Sequence, residues 1–426
     1  MPESTEILLA ACLGIDWADD HHDIALQVAG QAVIETQRLA HTPAALTDWL
    51  TMLATRFAGQ SVGIALETSR GPLVHALLEV PFVVLYPINP RSLCRFREAF
   101  TPSGAKDDGP DAQLLLTMLV QHRAALRAWT PDDVATRTLR RLVEHRRTAV
   151  ALRTQLVQQL QAVLKEYFPH ALEWAGTDLA SAMACAFLQR WSTLPALQRA
   201  RPATIRAFYT AHNCRSTAQI DARIAAMRTA VPLTTDPALL ESSAVYVHCL
   251  TQQLQHLLPS IARFDEEIAA RFATHADAAI FQSFPGAGPA FAPRLLAAFG
   301  TDRTRFPTAA DMQQRAGIAP ITIRSGKRTE VRWRWAVSTF VRQTFHEFAQ
   351  YSLRTSVWAK AYYAQLRARG QAHHVAIRAL AFKWIRILHR CWIDGVAYDE
   401  ARYQRALTER GSPLALVIND ANTTAK

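Results

Sequence analysis

The sequence predicts an α/β domain followed by an all-α remainder, and three observations carry that division. Short apolar runs alternate with helical patterns through roughly the first 120 residues. From about Asp111 onward, apolar residues recur almost throughout at helical spacing. The 426 residues are 50% apolar and 19% charged, which supports two or three ordinary cores and argues against disorder.

Residues 12–17 form a compact strand, and after polar residues 19–22 the alternation Ile24, Leu26, Val28 predicts its antiparallel neighbour. A third strand is expected over residues 31–38. Thr42 and Pro43 open a helix carrying Leu46, Leu50, Leu53 and Phe57, with the threonine as cap and the proline in the first turn. Residues 62–67 predict another strand, 72–78 a short helix, and 82–86 a further buried strand stopped by Pro87 and Pro90. This order gives a mixed sheet with helices packed on it.

Beyond it, Leu142, Ala149, Leu156 and Val163 recur every seven residues, with Val150, Val157 and Leu164 beside them, so a long helix over 132–168 has one apolar face. Three heptads leave a two-helix hairpin and a coiled coil both open. Pro169, Pro195, Pro202, Pro232 and Pro237 punctuate a middle region of shorter helices. A second long helix is expected over 242–273, broken or bent at Pro259 and able to pair antiparallel with the first. The domains are then 8–130, α/β; 131–275, a long helical hairpin with inserted helices; 276–395, an all-helical domain; and a tail, 396–426.

No apolar run approaches the length of a membrane span, and Glu3 and Glu6 precede the first apolar stretch where a signal peptide would be basic. A soluble, cytoplasmic protein with no membrane partner is expected. Six cysteines without a CxxC pair suggest neither a zinc ribbon nor a disulfide framework. The pairs His21–His22 and His373–His374 lack metal-ligand spacing and read as surface or packing residues.

The 47 basic residues outnumber the 36 acidic by 11, and 41 of them are arginines, whose planar fork grips phosphate. A GC-rich genome would also favour arginine codons. Two windows concentrate the charge. Residues 123–153 hold eight basic against three acidic side chains, among them Arg140, Arg141, Arg146 and Arg147. Residues 303–342 hold nine against two, including Arg324, Lys327, Arg328, Arg332 and Arg334, with Trp333 and Trp335 interleaved. Either window suits a nucleic-acid backbone; a solvated helix face or core tryptophans explain them equally simply.

Asp16 and Glu67 end buried strands, where a carboxylate is costly unless something positive compensates it. Asp108 and Asp111 lie three apart at a helix start preset by Pro110. Four hard oxygen donors brought together suit Mg²⁺ or Mn²⁺ and phosphoryl transfer. Singly, each acid is an ordinary strand-end or cap residue, and Asp107 competes with Asp108. The Gly286 and Gly288 turn in Phe284-Pro285-Gly286-Ala287-Gly288-Pro289 has helix-hairpin-helix character, in which backbone amides approach a phosphate.

The motifs Gly14-Ile15-Asp16-Trp17, Leu66-Glu67-Thr68-Ser69, the apolar strand ending in Asn89-Pro90, and Lys106 to Ala112 with acids at 108 and 111 resemble the DEDD transposases of the insertion-sequence one-ten type. The N-terminal domain of that family is RuvC-like and so ribonuclease-H-like. The resemblance implies metal-binding acids at Asp16, Glu67, Asp108 and Asp111. It extends over 281–370 and implies a catalytic serine nucleophile at Ser325, within Arg324-Ser325-Gly326-Lys327-Arg328. Asp107, Gly109 and Pro110 depart from the usual form. The resemblance further implies DNA cleavage and rejoining for an insertion sequence, a structured guide RNA, and a homo-oligomer with shared sites. A junction nuclease using water, a site-specific invertase and an inactive DNA-binding protein are the alternatives.

Overall fold

The computed structural model describes residues 7–67, 71–100, 108–326, 328–334, 337–416 and 418; for 100 and 108–110 only the backbone is considered. The chain divides into two compact units, 1–131 and 132–426.

In the first unit, β1 (Ala11–Trp17), β2 (His21–Val28) and β3 (Ile34–Ala40) form an antiparallel meander. Helix α1 (Pro43–Arg56) follows, its first turn capped by the Thr42 hydroxyl, which accepts from the Ala45 N–H. Then come β4 (Val62–Leu66), α2 (Pro72–Leu78), β5 (Val83–Pro87), α3 (Pro90–Phe100) and α4 (Asp108–His122). The sheet order is β3-β2-β1-β4-β5, with β4 parallel to β1 and β5 parallel to β4. This mixed sheet is in keeping with a ribonuclease-H-like domain. The third strand starts three residues later than its polar approach suggested.

Alternation along the strands gives the sheet two different faces. Leu13, Ile15, Ile24, Leu26, Ile64 and Leu66 pack with Leu46, Trp49 and Leu53 of α1 and Leu73 of α2. The opposite face carries small residues, Gly14 on β1 and Gly63 and Ala65 on β4, and receives Leu115 and Leu119 of α4.

The second unit begins with α5 (Val134–Tyr167). Short helices α6 (Ala171–Trp174), α7 (Ala182–Arg190), α8 (Leu194–Arg199), α9 (Pro202–Ala211) and α10 (Thr217–Thr229) precede α11 (Pro237–Ala273). Leu139 and Val143 share a core with Ile268 and Phe272, whereas Leu156 and Leu160 share another with Val247, Leu250 and Leu254, so α5 and α11 run antiparallel. The expected break at Pro259 is absent: α11 continues through it and starts at Pro237, capped by Asp236. The inserted helices build their own core from Trp174, Phe187, Trp191, Phe208 and Tyr209 around that end of the pair.

The rest comprises α12 (Ala278–Gln282), α13 (Gly288–Phe299), α14 (Ala309–Arg315), β6 (Ile321–Ser325), β7 (Arg328–Arg332), α15 (Thr339–Ser352), α16 (Val357–Ala368), α17 (His373–Asp394) and α18 (Glu400–Glu409). The expectation of an all-helical domain is thus corrected by an antiparallel ribbon, β6 with β7, pairing Ser325 with Arg328 across a two-residue turn. Gly326 in that turn has φ +56°, which favours glycine. Helix α17 is buried through Trp384, Leu388 and Trp392, so it is the centre of this core. Tyr398, Tyr403, Leu414 and Ile418 pack on the same core, and the tail is therefore part of it. The two ends of the α5–α11 pair belong to different cores, and the end at Leu139 is continuous with the C-terminal one.

Candidate active site

Gly14 decides how the acids are placed. A Cβ there would lie 2.0 Å from the Ala112 carbonyl oxygen and 2.5 Å from the Leu116 nitrogen, so only glycine lets α4 lie directly on β1. Asp16 is two residues farther along β1 and on the same face, and Asp111 precedes Ala112 at the start of α4. Ile15 pairs with Leu66 in parallel register, which sets Asp16 and Glu67 side by side at neighbouring strand ends. Both are half-buried.

Asp111 is 5% exposed, and Arg97 of α3 donates to its Oδ2. Its Oδ1 is buried without a hydrogen-bond partner. A buried, half-satisfied carboxylate among oxygen donors suits a hard divalent cation. Among the described residues, no three His, Cys, Asp or Glu stand close enough together to hold a metal ion. The Asp108 side chain, like Asp107, lies outside the described set.

Two neighbours of this site were not singled out in the sequence. Arg97 engages Asp111 across 14 residues that include no fixed spacing rule. Asp23 faces Asp16 directly in the antiparallel register and is held by Arg38 Nε at 3.1 Å. Alternation on β2 would have placed Asp23 on that face; no local signal marks Arg97.

Ser325 is exposed at the end of β6, beside the turn, with Arg324 and Arg328 exposed around it. Arg332 instead meets Glu330, Nε to Oε1 at 2.7 Å. Arg334 is half-buried, and Lys327 lies outside the described residues.

The arginines of 123–153 have mostly structural partners. Arg140 donates to Asp132 at 2.8 Å and to the Ala297 carbonyl at 2.8 Å. Arg146 donates to Asp265 at 2.5 Å, and Arg147 to Glu347 at 2.9 Å and to Gln343. Carboxylates thus already hold these three, Asp132 eight residues from Arg140 and Asp265 and Glu347 119 and 200 residues from Arg146 and Arg147; Arg141 is exposed. Arg146 and Arg147 do line a cleft of about 290 Å³ with Arg294, Asp265, Glu347 and the α13 start at Pro289. Gly286 and Gly288 form the turn before α13 with φ +79° and +47°. His22 is buried, its Nε2 2.8 Å from His41 Nδ1, and His373 Nδ1 is 2.8 Å from the Tyr363 hydroxyl, so His22 and His373 have packing partners while His374 is exposed.

A DEDD transposase profile matches residues 13–169, and a profile described as transposase of the IS116/IS110/IS902 family matches 278–364, together more than half of the chain. The chain belongs to the IS110 family of transposases. The protein assigned as the mini-circle transposase for IS117 of Streptomyces coelicolor is 28% identical over 400 residues, 92% of this chain and 96% of that one. The uncharacterised 42 kDa protein of insertion element IS900 from Mycobacterium paratuberculosis is 26% identical over 90% of this chain and 95% of its own length. Protein y4uE of Sinorhizobium fredii, also assigned as a transposase, is 30% identical over 47% of this chain and 56% of its own. Transposases bind DNA and catalyse its cleavage and rejoining, and the DEDD domain of this transposase implies a divalent metal. No described helix is long and apolar enough to cross a membrane.

Proposed function

We propose that this transposase breaks and rejoins DNA strands with Ser325 as nucleophile and with Asp16, Glu67, Asp108 and Asp111 as the acids that hold its divalent metal. The observation that carries the reading is the ribbon: Ser325 stands exposed beside its turn, between Arg324 and Arg328, on a segment that packs into no core. A divalent metal held by Asp16, Glu67, Asp108 and Asp111 would supply positive charge for phosphoryl transfer. The chain's own residues do the rest. Oγ of Ser325 attacks phosphorus as the bond from phosphorus to a deoxyribose oxygen breaks; the serine proton passes to solvent and the leaving oxygen is protonated. Arg324 and Arg328 stabilise the charge that develops on the phosphoryl oxygens. Arg97 positions Asp111 at the start of α4.

Because the phosphodiester energy is kept in the phosphoserine link, rejoining needs no external energy source. A structured RNA encoded with the element is proposed to choose the DNA, within a homo-oligomer. Denaturing gels of the chain incubated with element-end DNA and Mg²⁺ are expected to show a covalent adduct mapping to Ser325. It should vanish in Ser325→Ala, Asp16→Asn and Glu67→Gln while DNA binding persists. Cutting at the parental rate by Ser325→Ala, with no adduct in the parent, would favour a water-using nuclease.

A further inference from the structure

Two arginines gather on Trp333 where the ribbon rejoins the helices. The guanidinium carbon of Arg378, on α17, lies 3.6 Å from the centroid of the Trp333 ring, and that of Arg342, on α15, lies 5.6 Å from it. Arg334 is the next residue along the chain. Each has a buried guanidinium nitrogen with no hydrogen-bond partner: Nε of Arg334 and Arg378, Nη1 of Arg342.

Other arginines of this unit are neutralised. Arg140 and Arg305 share Asp132, Arg147 and Arg294 share Glu347, Arg303 has Asp277, and Arg332 has Glu330. The acids nearest in sequence to the cluster, Glu330 and Glu347, are therefore already committed. The remaining titratable neighbours are His346 and His374, whose rings are 5.8 Å apart. Burial, then His374 and Arg378, holds His346 below the usual imidazole range, which favours its neutral form, and no protonation state of histidine supplies a counter-anion. Partly buried cations without a counter-charge are costly, and planar guanidinium groups leave their N–H fork ready for an oxygen anion.

We propose that Arg342 and Arg378, organised on Trp333, form a clamp for one DNA phosphodiester beside the Ser325 ribbon. Trp333 follows β7, so the clamp stands at the base of the ribbon and Ser325 at its tip. Five residues of strand span about 16 Å, which matches the rise of some four to five base pairs along a duplex axis at about 3.4 Å each. The clamp would hold the strand at that distance from the phosphate under attack. Its location relative to the chemistry rests on the serine reading; its binding of DNA does not.

The test is fluorescence anisotropy of the full chain on a labelled duplex across a salt series, with Arg342→Gln, Arg378→Gln and the double variant. Each lost contact is expected to make the slope of log affinity against log salt less negative by about 0.9, and the double variant to bind roughly ten- to thirtyfold more weakly near 0.15 M salt. Ser325→Ala is expected to keep the parental slope, so failure of the nucleophile and failure of the clamp are separate results. A folded double variant with the parental slope overturns the proposal. So does a slope that changes on single-stranded RNA of the same sequence but not on DNA. Phenylglyoxal labelling of the unmodified chain needs no variant: duplex DNA is expected to slow modification of Arg342 and Arg378, and equal rates with and without DNA also overturn it.

Discussion

A methyl group at position 14 has nowhere to go, because the atoms it would meet are backbone atoms of α4 rather than the ends of flexible side chains. Gly14→Ala must therefore move the helix that carries Asp111 away from the strand that carries Asp16. Overpacking of this kind costs about 1–3 kcal/mol, and contact with backbone argues for the upper end. Urea unfolding is expected to show that loss together with a loss of cleavage; parental stability and cleavage would mean that α4 does not need the close approach. The strand-end acids were legible in the sequence because a carboxylate after a buried run is unusual wherever it occurs. The need for Gly14 was not, since the residues it accommodates are about 100 positions away.

Among the elements, α5 shows how a charged helix is anchored. Asp133 caps it, accepting from the Thr136 N–H at 2.9 Å, the Thr136 hydroxyl at 2.7 Å and the Thr301 hydroxyl at 2.8 Å. Burial pushes the Asp133 carboxyl up, but these hydrogen bonds outweigh it and lower its pKa to about 2. Its neighbour Asp132 has a fully buried side chain. Burial opposes its ionisation, yet Arg305, Arg140 and the Thr301 N–H bring its pKa below the usual carboxylate value. Both groups are depressed, so their stabilisation is complete above an unfolded-state pKa of about 3.9; for Asp133 it is lost as pH falls toward about 2, and for Asp132 as pH falls through its lowered value. Asp132→Asn, which leaves two arginines around a neutral side chain, is expected to cost about 3 kcal/mol in urea at pH 7. The gap to the parent should narrow as pH falls below about 4; an unchanged midpoint at pH 7 would remove the network from any account of stability. The helix itself and its Asp133 cap follow from local pattern. The partners of Arg140, Arg146 and Arg147 lie 119–200 residues away or are reached through a buried acid, so a basic helix face looked free when it was not. The ribbon escaped for a different reason: Ile321 and Ile323 pair across it with Arg332 and Glu330, and Val331 with Thr322, so neither face is apolar enough to reveal it.

At the scale of the whole molecule, a net charge of +11 remains, while several of the cations it counts are internally matched. If six or so phosphate contacts remain among the exposed and unmatched arginines, affinity for a duplex should fall about a thousandfold between 50 and 200 mM salt. An almost flat titration would show that the excess arginine serves something other than a polyanion. Neutralising Arg140 or Arg147 is expected to lower stability and leave that slope as it was. The ribbon, finally, contributes no described residue from 321 to 332 to any buried apolar cluster and leaves Ile323 41% and Val331 65% exposed. Substitutions along it therefore empty no core. A lineage of mobile elements can rewrite the ten residues of β6 and β7, and with them the grip on its DNA, while inheriting the scaffold unchanged.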